Sequence, residues 1–187
     1  MKDVYYNKER SGLMHTNGMG LVHAYYGQGA GKTSRVLGLA VRAAGAGLKV
    51  WFVQFMKSGN SSEARFLQNL PGITYRCPGK HPFVMSSGPR DQHFHHAQEA
   101  LAAAYEAVEA QADVLICDEI LNTLVFGILS VKQVLALVHR CRGEVELIMT
   151  GVDAPLEIKE SADYVTEFVQ RKHPYYAGQQ ARRGIEY

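Results

Sequence analysis

Residues Gly27-Gln28-Gly29-Ala30-Gly31-Lys32-Thr33-Ser34 combine closely spaced glycines with a lysine and two hydroxyls. Such a set is suited to phosphate: backbone N–H groups wrap the oxygens and the ammonium neutralises them. The usual spacing, G-x-x-x-x-G-K-[ST], puts the leading glycine at position 26, but Tyr26 stands there and Gly27 opens a loop one residue shorter. The glycines still let the backbone approach an anion closely. A loop one residue shorter cannot set all the same amides around the same phosphate, so the bound group is expected in a shifted or reversed pose.

A second chemical set lies at the end of "DVLICDE", an apolar run closing on Asp118 and Glu119. Ligands gather at the carboxyl ends of strands in open α/β sheets, so this pair is the expected partner of the phosphate loop. Lys32 is expected to pair with phosphate oxygens, the Thr33 hydroxyl to reach Mg²⁺, and Ser34 to add a hydrogen bond. One carboxylate is expected to orient the Mg²⁺ shell and the other to hold ribose or metal. The plainer alternative is a solvated pair of acids at a strand end. To this point the chain reads as an ATPase or small-molecule kinase, without the glycine-rich signature set of a protein kinase.

The surrounding pattern supplies elements that would bring the two sets together. "GLVHAYY" precedes the loop as a strand, and Lys32 to Ala46 has helical spacing that stops at Gly47. "LKVWFVQF" and "DVLICDE" are nearly continuous apolar runs, as in strands covered on both faces. "GITYRC", "EVELIMTG" and "DYVTEFV" read as further strands. Asp91 to Gln111 is rich in strong helix formers. This alternation predicts a mostly parallel sheet with helices on both faces, the P-loop NTPase-like (RecA-like) class. Residues 1–18 read as a flexible arm and 19–187 as one domain. The stretch 77–90, "CPGKHPFVMSSGPR", reads as a long functional loop.

The 187 residues are 47% hydrophobic and 20% charged, a soluble globular balance large enough for one core. Twenty basic against eighteen acidic side chains give +2, which does not point to nucleic acid. No apolar run approaches the ~20 residues of a membrane span. "MKDVYYNKERSG" lacks the apolar core of a secretory signal. Three cysteines without C-x-x-C spacing predict structural thiols in a reducing, cytoplasmic compartment. In "DQHFHHAQ", His93, His95 and His96 lack the i, i+4 spacing of two metal ligands on one helix face and read as a polar helix start.

Several stretches together resemble one family, the P-loop-type ATP:corrinoid (cob(I)alamin) adenosyltransferases. They are "GQGAGKT", "RAAGAG", "VQFMK", "CDEI", Thr150-Gly151, "ADYVTE" and "KHPYYAGQQARRGIEY", in that order from about residue 20 to Tyr187. The resemblance implies attack of cobalt(I) of a corrinoid, cobalamin or a cobyrinic acid precursor, on C5′ of ATP, with tripolyphosphate leaving. It implies ATP bound in the reverse of the usual sense, so that the short loop is a functional feature. It further implies a homodimer and an electron-donating flavoprotein reductase.

In that reading Lys32, Thr33 and Glu119 serve catalysis, and Thr33, Asp118 and Glu119 hold the metal. ATP is met by residues 27–34, Arg42, Gln54, Lys172 and His173. For Arg42 the alternative is a helix-surface role, for Gln54 packing, and for Lys172 and His173 a turn before Pro174. Arg182 and Arg183 lie in a tail expected near the site or at an interface. Two departures stand out. Where relatives often carry a Phe and a Trp that help strip the lower axial ligand from cobalt(II), this loop offers Phe83 with Val84 or Met85. Val152 stands where relatives commonly carry an Arg.

Overall fold

A computed structural model of the chain describes residues 19–79, 84 and 88–187. The expected arm at 1–18, and Phe83 and Met85, lie outside the described residues. In chain order the elements are β1 (Val22–Tyr26), α1 (Lys32–Gly45), β2 (Val50–Gln54), α2 (Ser62–Leu67), β3 (Ile73–Arg76) and α3 (Asp91–Glu109). There follow β4 (Val114–Asp118), α4 (Ile120–Val125), α5 (Val131–Cys141), β5 (Glu146–Gly151), α6 (Leu156–Ser161) and β6 (Tyr164–Glu167). The six strands form one sheet of order β3-β2-β4-β5-β1-β6, and every pairing is parallel.

That order explains the helices on both faces. From β1 to β3 the chain steps in one direction along the sheet, and from β3 to β6 it steps back in the other. Parallel crossovers are right-handed, so reversing direction moves the helices to the opposite face. One face buries Val36, Ala40 and Ala43 of α1 with Leu67 of α2, and the other buries α3, α5 and α6. Strand β4 is buried throughout and alternates between the layers: Val114 and Ile116 face α1, while Leu115 and Cys117 face α3 and α5. On α3 the buried stripe is mostly small, with Ala97, Ala100, Ala104 and Ala107 against the sheet.

The expected boundaries hold closely. Helix α1 ends at Gly45, and Gly47 just beyond it adopts φ +83°, the left-handed turn that glycine accepts without strain. Helix α3 starts at Asp91 as expected. The sheet is wholly parallel, where the sequence predicts a mostly parallel one. At its amino end, the Glu146 carboxylate accepts from the Gly20 and Leu21 amides at 3.0 and 2.9 Å and pairs with His23 Nε2 at 2.6 Å. Among the described residues no helix is long and apolar enough to cross a membrane.

The three thiols are free. Cys117 and Cys141 are fully buried, and burial pushes the Cys141 thiol up to about 12 and Cys117 well above its usual range. Cys77 is half-buried, with a thiol raised less by burial. Only the thiolate reacts. Native protein treated with an alkylating reagent at pH 8 is therefore expected to label slowly at Cys77 alone, and at all three positions in denaturant. Labelling of Cys117 or Cys141 in the native state would show that the core is not packed in this way.

Candidate active site

The short loop links β1 to α1 at the carboxyl end of the sheet. Gly27 has φ +119°, and a Cβ there would lie 2.3 Å from the Phe168 carbonyl oxygen. A Cβ on Gly29 would lie 2.7 Å from the same residue's carbonyl carbon. Both positions demand glycine because the chain just after β6 is pressed against the loop. The contact is hydrogen-bonded: Gly29 N donates to Phe168 O at 2.7 Å, and Phe168 N to Tyr26 O at 2.7 Å. Gly27 N donates to Val152 O at 3.2 Å.

Two loop amides are thus engaged by protein, and the anion-binding capacity shifts towards the start of α1. Gly31 occupies the N-cap position with no side chain to cap the helix, and the first turn holds no acidic residue. The first amides of a helix have no intrahelical partner and carry the positive end of its dipole. Lys32 folds back over the loop, donating from Nζ to Gly27 O at 2.6 Å and Gly29 O at 2.9 Å. Burial lowers the pKa of this ammonium, opposed by Glu119 and Asp118 nearby.

Asp118 is fully buried at the end of β4. Thr33 Oγ1 donates to it at 3.2–3.3 Å, Thr150 Oγ1 at 2.8 Å and Gln54 Nε2 at 3.1 Å. Glu119 adopts the left-handed φ of +66°, uncommon for a residue with a side chain, and its amide donates to Thr150 Oγ1 at 2.8 Å. Burial raises the Glu119 pKa and the Asp118 charge raises it further, while Lys57, Lys32 and Asn122 pull it down. Lys57 Nζ lies 3.9 Å from Glu119 Oε1.

Asn122, on α4, joins the acid to the loop. Its Nδ2 donates to Glu119 Oε2, and its Oδ1 accepts from Val152 N at 2.7 Å. Because Val152 O accepts from Gly27 N, a continuous hydrogen-bonded path runs from Glu119 to the first residue of the loop. Gly151 makes room for it, since a Cβ there would meet Asn122 Oδ1 at 2.8 Å.

The structure brings Lys32, Thr33, Asp118 and Glu119 into one group with the loop residues 27–31 and Ser34 at the start of α1. It does not bring Arg42 there. Ten residues beyond Lys32, Arg42 is carried roughly 15 Å along the helix, where it is exposed in the last turn of α1. Gln54 is buried, with Oε1 accepting from the Tyr75 hydroxyl at 2.6 Å and Nε2 on Asp118, so both ends of its amide are occupied by protein. It supports Asp118 and does not present itself to a nucleotide.

His173 caps the short 3₁₀ turn Pro174–Ala177, its Nδ1 accepting from Tyr175 N at 3.2 Å, and Lys172 beside it is exposed. Val84 packs half-buried against the core layer containing α3. His93 is buried with Nδ1 accepting from Arg90 N at 2.8 Å, which makes it part of the helix start. His95 lies 3.4 Å from Glu99. The chain end returns across the carboxyl edge of the sheet: Phe168 lies by β1, and Tyr187 O accepts from Ser62 Oγ at the start of α2.

Thr150 and Lys57 also join the group, each standing in a stretch that carries the family resemblance, the Thr-Gly pair and "VQFMK", while Asn122 and Tyr75 join it without a local signal.

Residues 18–187 match the family model described as ATP:corrinoid adenosyltransferase BtuR/CobO/CobP. The chain belongs to this family. Adenosylation of a corrinoid with ATP is the activity of the family, an alkyl transfer. The chain is similar to the corrinoid adenosyltransferase of Pseudomonas aeruginosa, 32% identical over 91% of this chain and 84% of that protein. It is similar also to the corrinoid adenosyltransferase of Escherichia coli K12, at 28% over 90% and 86% respectively. For the corrinoid adenosyltransferase CobA of Salmonella typhimurium the values are 29%, 90% and 86%.

Asn122→Ala leaves the Val152 amide without its partner and removes a donor from Glu119. Such losses amount to about 1–3 kcal/mol, a fall in Tm of roughly 2–12 °C for a chain of this size. Asn122→Asp keeps the acceptor for Val152 but sets a like charge against Glu119, and a still lower midpoint is expected at neutral pH. An Asn122→Ala midpoint equal to wild type in thermal melts would remove this link from the site.

Proposed function

We propose that this chain transfers the 5′-deoxyadenosyl group of MgATP to cobalt(I) of a corrinoid and releases tripolyphosphate. In this reaction the cobalt(I) electron pair forms the Co–C5′ bond, the C5′–O5′ bond breaks, and its pair leaves on the tripolyphosphate. Cobalt is thereby oxidised to the alkylcobalt(III) level. The nucleophile belongs to the substrate, so the protein's task is to hold both reactants in line and to stabilise a departing polyanion.

The observation that carries this reading is the convergence of Lys32, the uncapped start of α1 and the Thr33–Asp118 pair around a loop shortened and clamped by Phe168. Lys32 and the amides at 30–34 are suited to take up charge that builds on the leaving group. Thr33 with Asp118 and Glu119 makes an all-oxygen donor set, which fits Mg²⁺. Those three residues would hold the ion, and when bound it neutralises triphosphate charge. Asp118 also sets the Thr33 hydroxyl, and Asn122 sets Glu119. The reversed sense of ATP is part of the proposal, since C5′ must face the corrinoid.

Phe83, Val84 and Met85 remain the proposed corrinoid-facing residues of the loop before α3, with half-buried Val84 anchoring it. The exposed apolar edge strand β6, with Tyr164 and Val165, supports a homodimer. Cobalt(I) requires a strong donor, so a flavoprotein reductase in the cytoplasm completes the reading.

The test is anaerobic incubation with MgATP and chemically reduced cobalt(I) corrinoid, following the visible spectrum and the phosphate products. Light-sensitive adenosylcorrinoid with tripolyphosphate is expected. ADP and phosphate without a new corrinoid spectrum would overturn the proposal in favour of an ATPase. Lys32→Ala is expected to lower kcat by roughly 10²–10³-fold, about 2.7–4 kcal/mol of lost leaving-group stabilisation. A near-normal rate in that variant would remove Lys32 from the mechanism.

A further inference from the structure

Lys57 stands just beyond β2, in contact with Glu119 but with no part in the reaction proposed above. Its backbone is fixed from several sides. Met56, immediately before it, has φ +50°, a strained conformation for a residue with a side chain, and it turns the chain as it leaves the sheet. The Lys57 carbonyl accepts from the Cys77 thiol at 3.4 Å. Gly79 presses on the same oxygen so closely that a Cβ would come within 2.5 Å. Two loops, those after β2 and β3, thus lock this residue at the carboxyl end of the sheet.

The side chain is directed at the acid pair. Nζ lies 3.9 Å from Glu119 Oε1, with the side chain 35% exposed and the glutamate 16%. The charge is felt by both site residues, favouring the ionised Glu119 and opposing a second positive charge on Lys32. Of the protein's own charges, Asp118 and Glu119 are balanced by Lys32 alone unless Lys57 is counted, and the Mg²⁺ proposed above would take up the two carboxylates without leaving a further cation for the rest of the triphosphate. Arg42 is too far along α1 to correct this balance, and Val152 carries no charge. Lys57 adds a second positive charge from the end of β2, next to Glu119.

We propose that Lys57 is a second triphosphate-binding cation of this site, gripping the leaving group from the β2 side while Lys32 grips it from the loop. This rests on the adenosyltransferase reading given above. A lysine suits the task as a mobile point charge: it releases Glu119 and turns to phosphate when the nucleotide enters.

The experiment is calorimetric titration of wild type, Lys57→Met and Lys57→Arg with tripolyphosphate in the presence of Mg²⁺. Thermal melts report folding, and cobalt(I) corrinoid turnover by wild type is followed in parallel. Lys57→Met is expected to bind tripolyphosphate about tenfold to a hundredfold more weakly with an unchanged Tm, and Lys57→Arg to recover most of the affinity. Unchanged tripolyphosphate affinity in Lys57→Met overturns the proposal. So does a rise confined to the corrinoid KM, which would place the ammonium on the other substrate. Failure of wild-type turnover with ADP as product would instead overturn the adenosyltransferase reading, while the titration still reports the phosphate contact.

Discussion

Everything at the carboxyl end of the sheet depends on burying the Asp118 carboxylate. A charge with no access to water is tolerated only if its oxygens are met by donors. The donors here come from different elements: Thr33 from the start of α1, Gln54 from the end of β2 and Thr150 from β5. The strand register makes this possible, since Gln54 stands opposite Asp118 and Cys117 opposite Met149, which sets Thr150 level with the acid. A slip of one residue in either pairing would turn the partners to the wrong face and strand the charge. The Tyr75 hydroxyl extends the same network to β3 through Gln54. The bonds that make the carboxylate tolerable therefore also aim the Thr33 hydroxyl.

The missing loop residue has a physical counterpart in the segment after β6. Phe168 accepts from Gly29 and donates to Tyr26, so the backbone of residues 26–29 is shared with a neighbouring chain segment. A longer loop would need space that the Phe168 backbone fills. What remains for an anion is the uncapped start of α1 and the lysine at its head, a site with its positive character concentrated at one end. That concentration agrees with a reaction in which the whole triphosphate departs together, and less with one that grips each phosphate separately.

Much of the fold was legible because it is written in local pattern. The apolar runs around Val50–Gln54 and Val114–Asp118 have the continuous character of strands covered on both faces, and Gly47 marks the end of α1. Lys32, Thr33 and the acid pair were legible because loop chemistry and strand ends are local signals. The support around them was not. Gln54 reads as a ligand contact until its register opposite Asp118 shows both amide ends occupied. Thr150 takes its role from bonds to Asp118 and Glu119, and Asn122 its link to the loop from Val152, across 30 to 32 positions. Arg42 errs in the opposite direction: near Lys32 in sequence, it is taken away by the rise of a rigid helix. His93 reads as part of a polar helix start because its spacing to the two other histidines is wrong for a shared metal, and its ring nitrogen does serve the backbone at the start of α3.

Adjacent in sequence, Asp118 and Glu119 are separated by environment. Asp118 is met by hydroxyls and an amide, a neutral and rigid shell. Glu119 is turned by its left-handed backbone towards Lys57 and Asn122, a charged and less crowded shell. The first acid is suited to holding geometry and the second to answering a change of charge. Lys32 rests against two neutral carbonyls, Gly27 O and Gly29 O, which bind an ammonium less strongly than anionic oxygens do. The ammonium is therefore held, partly desolvated, beside the place where an anion would arrive. Little has to reorganise when phosphate oxygens replace the carbonyls, and low reorganisation is what makes preset charges effective on a developing leaving group.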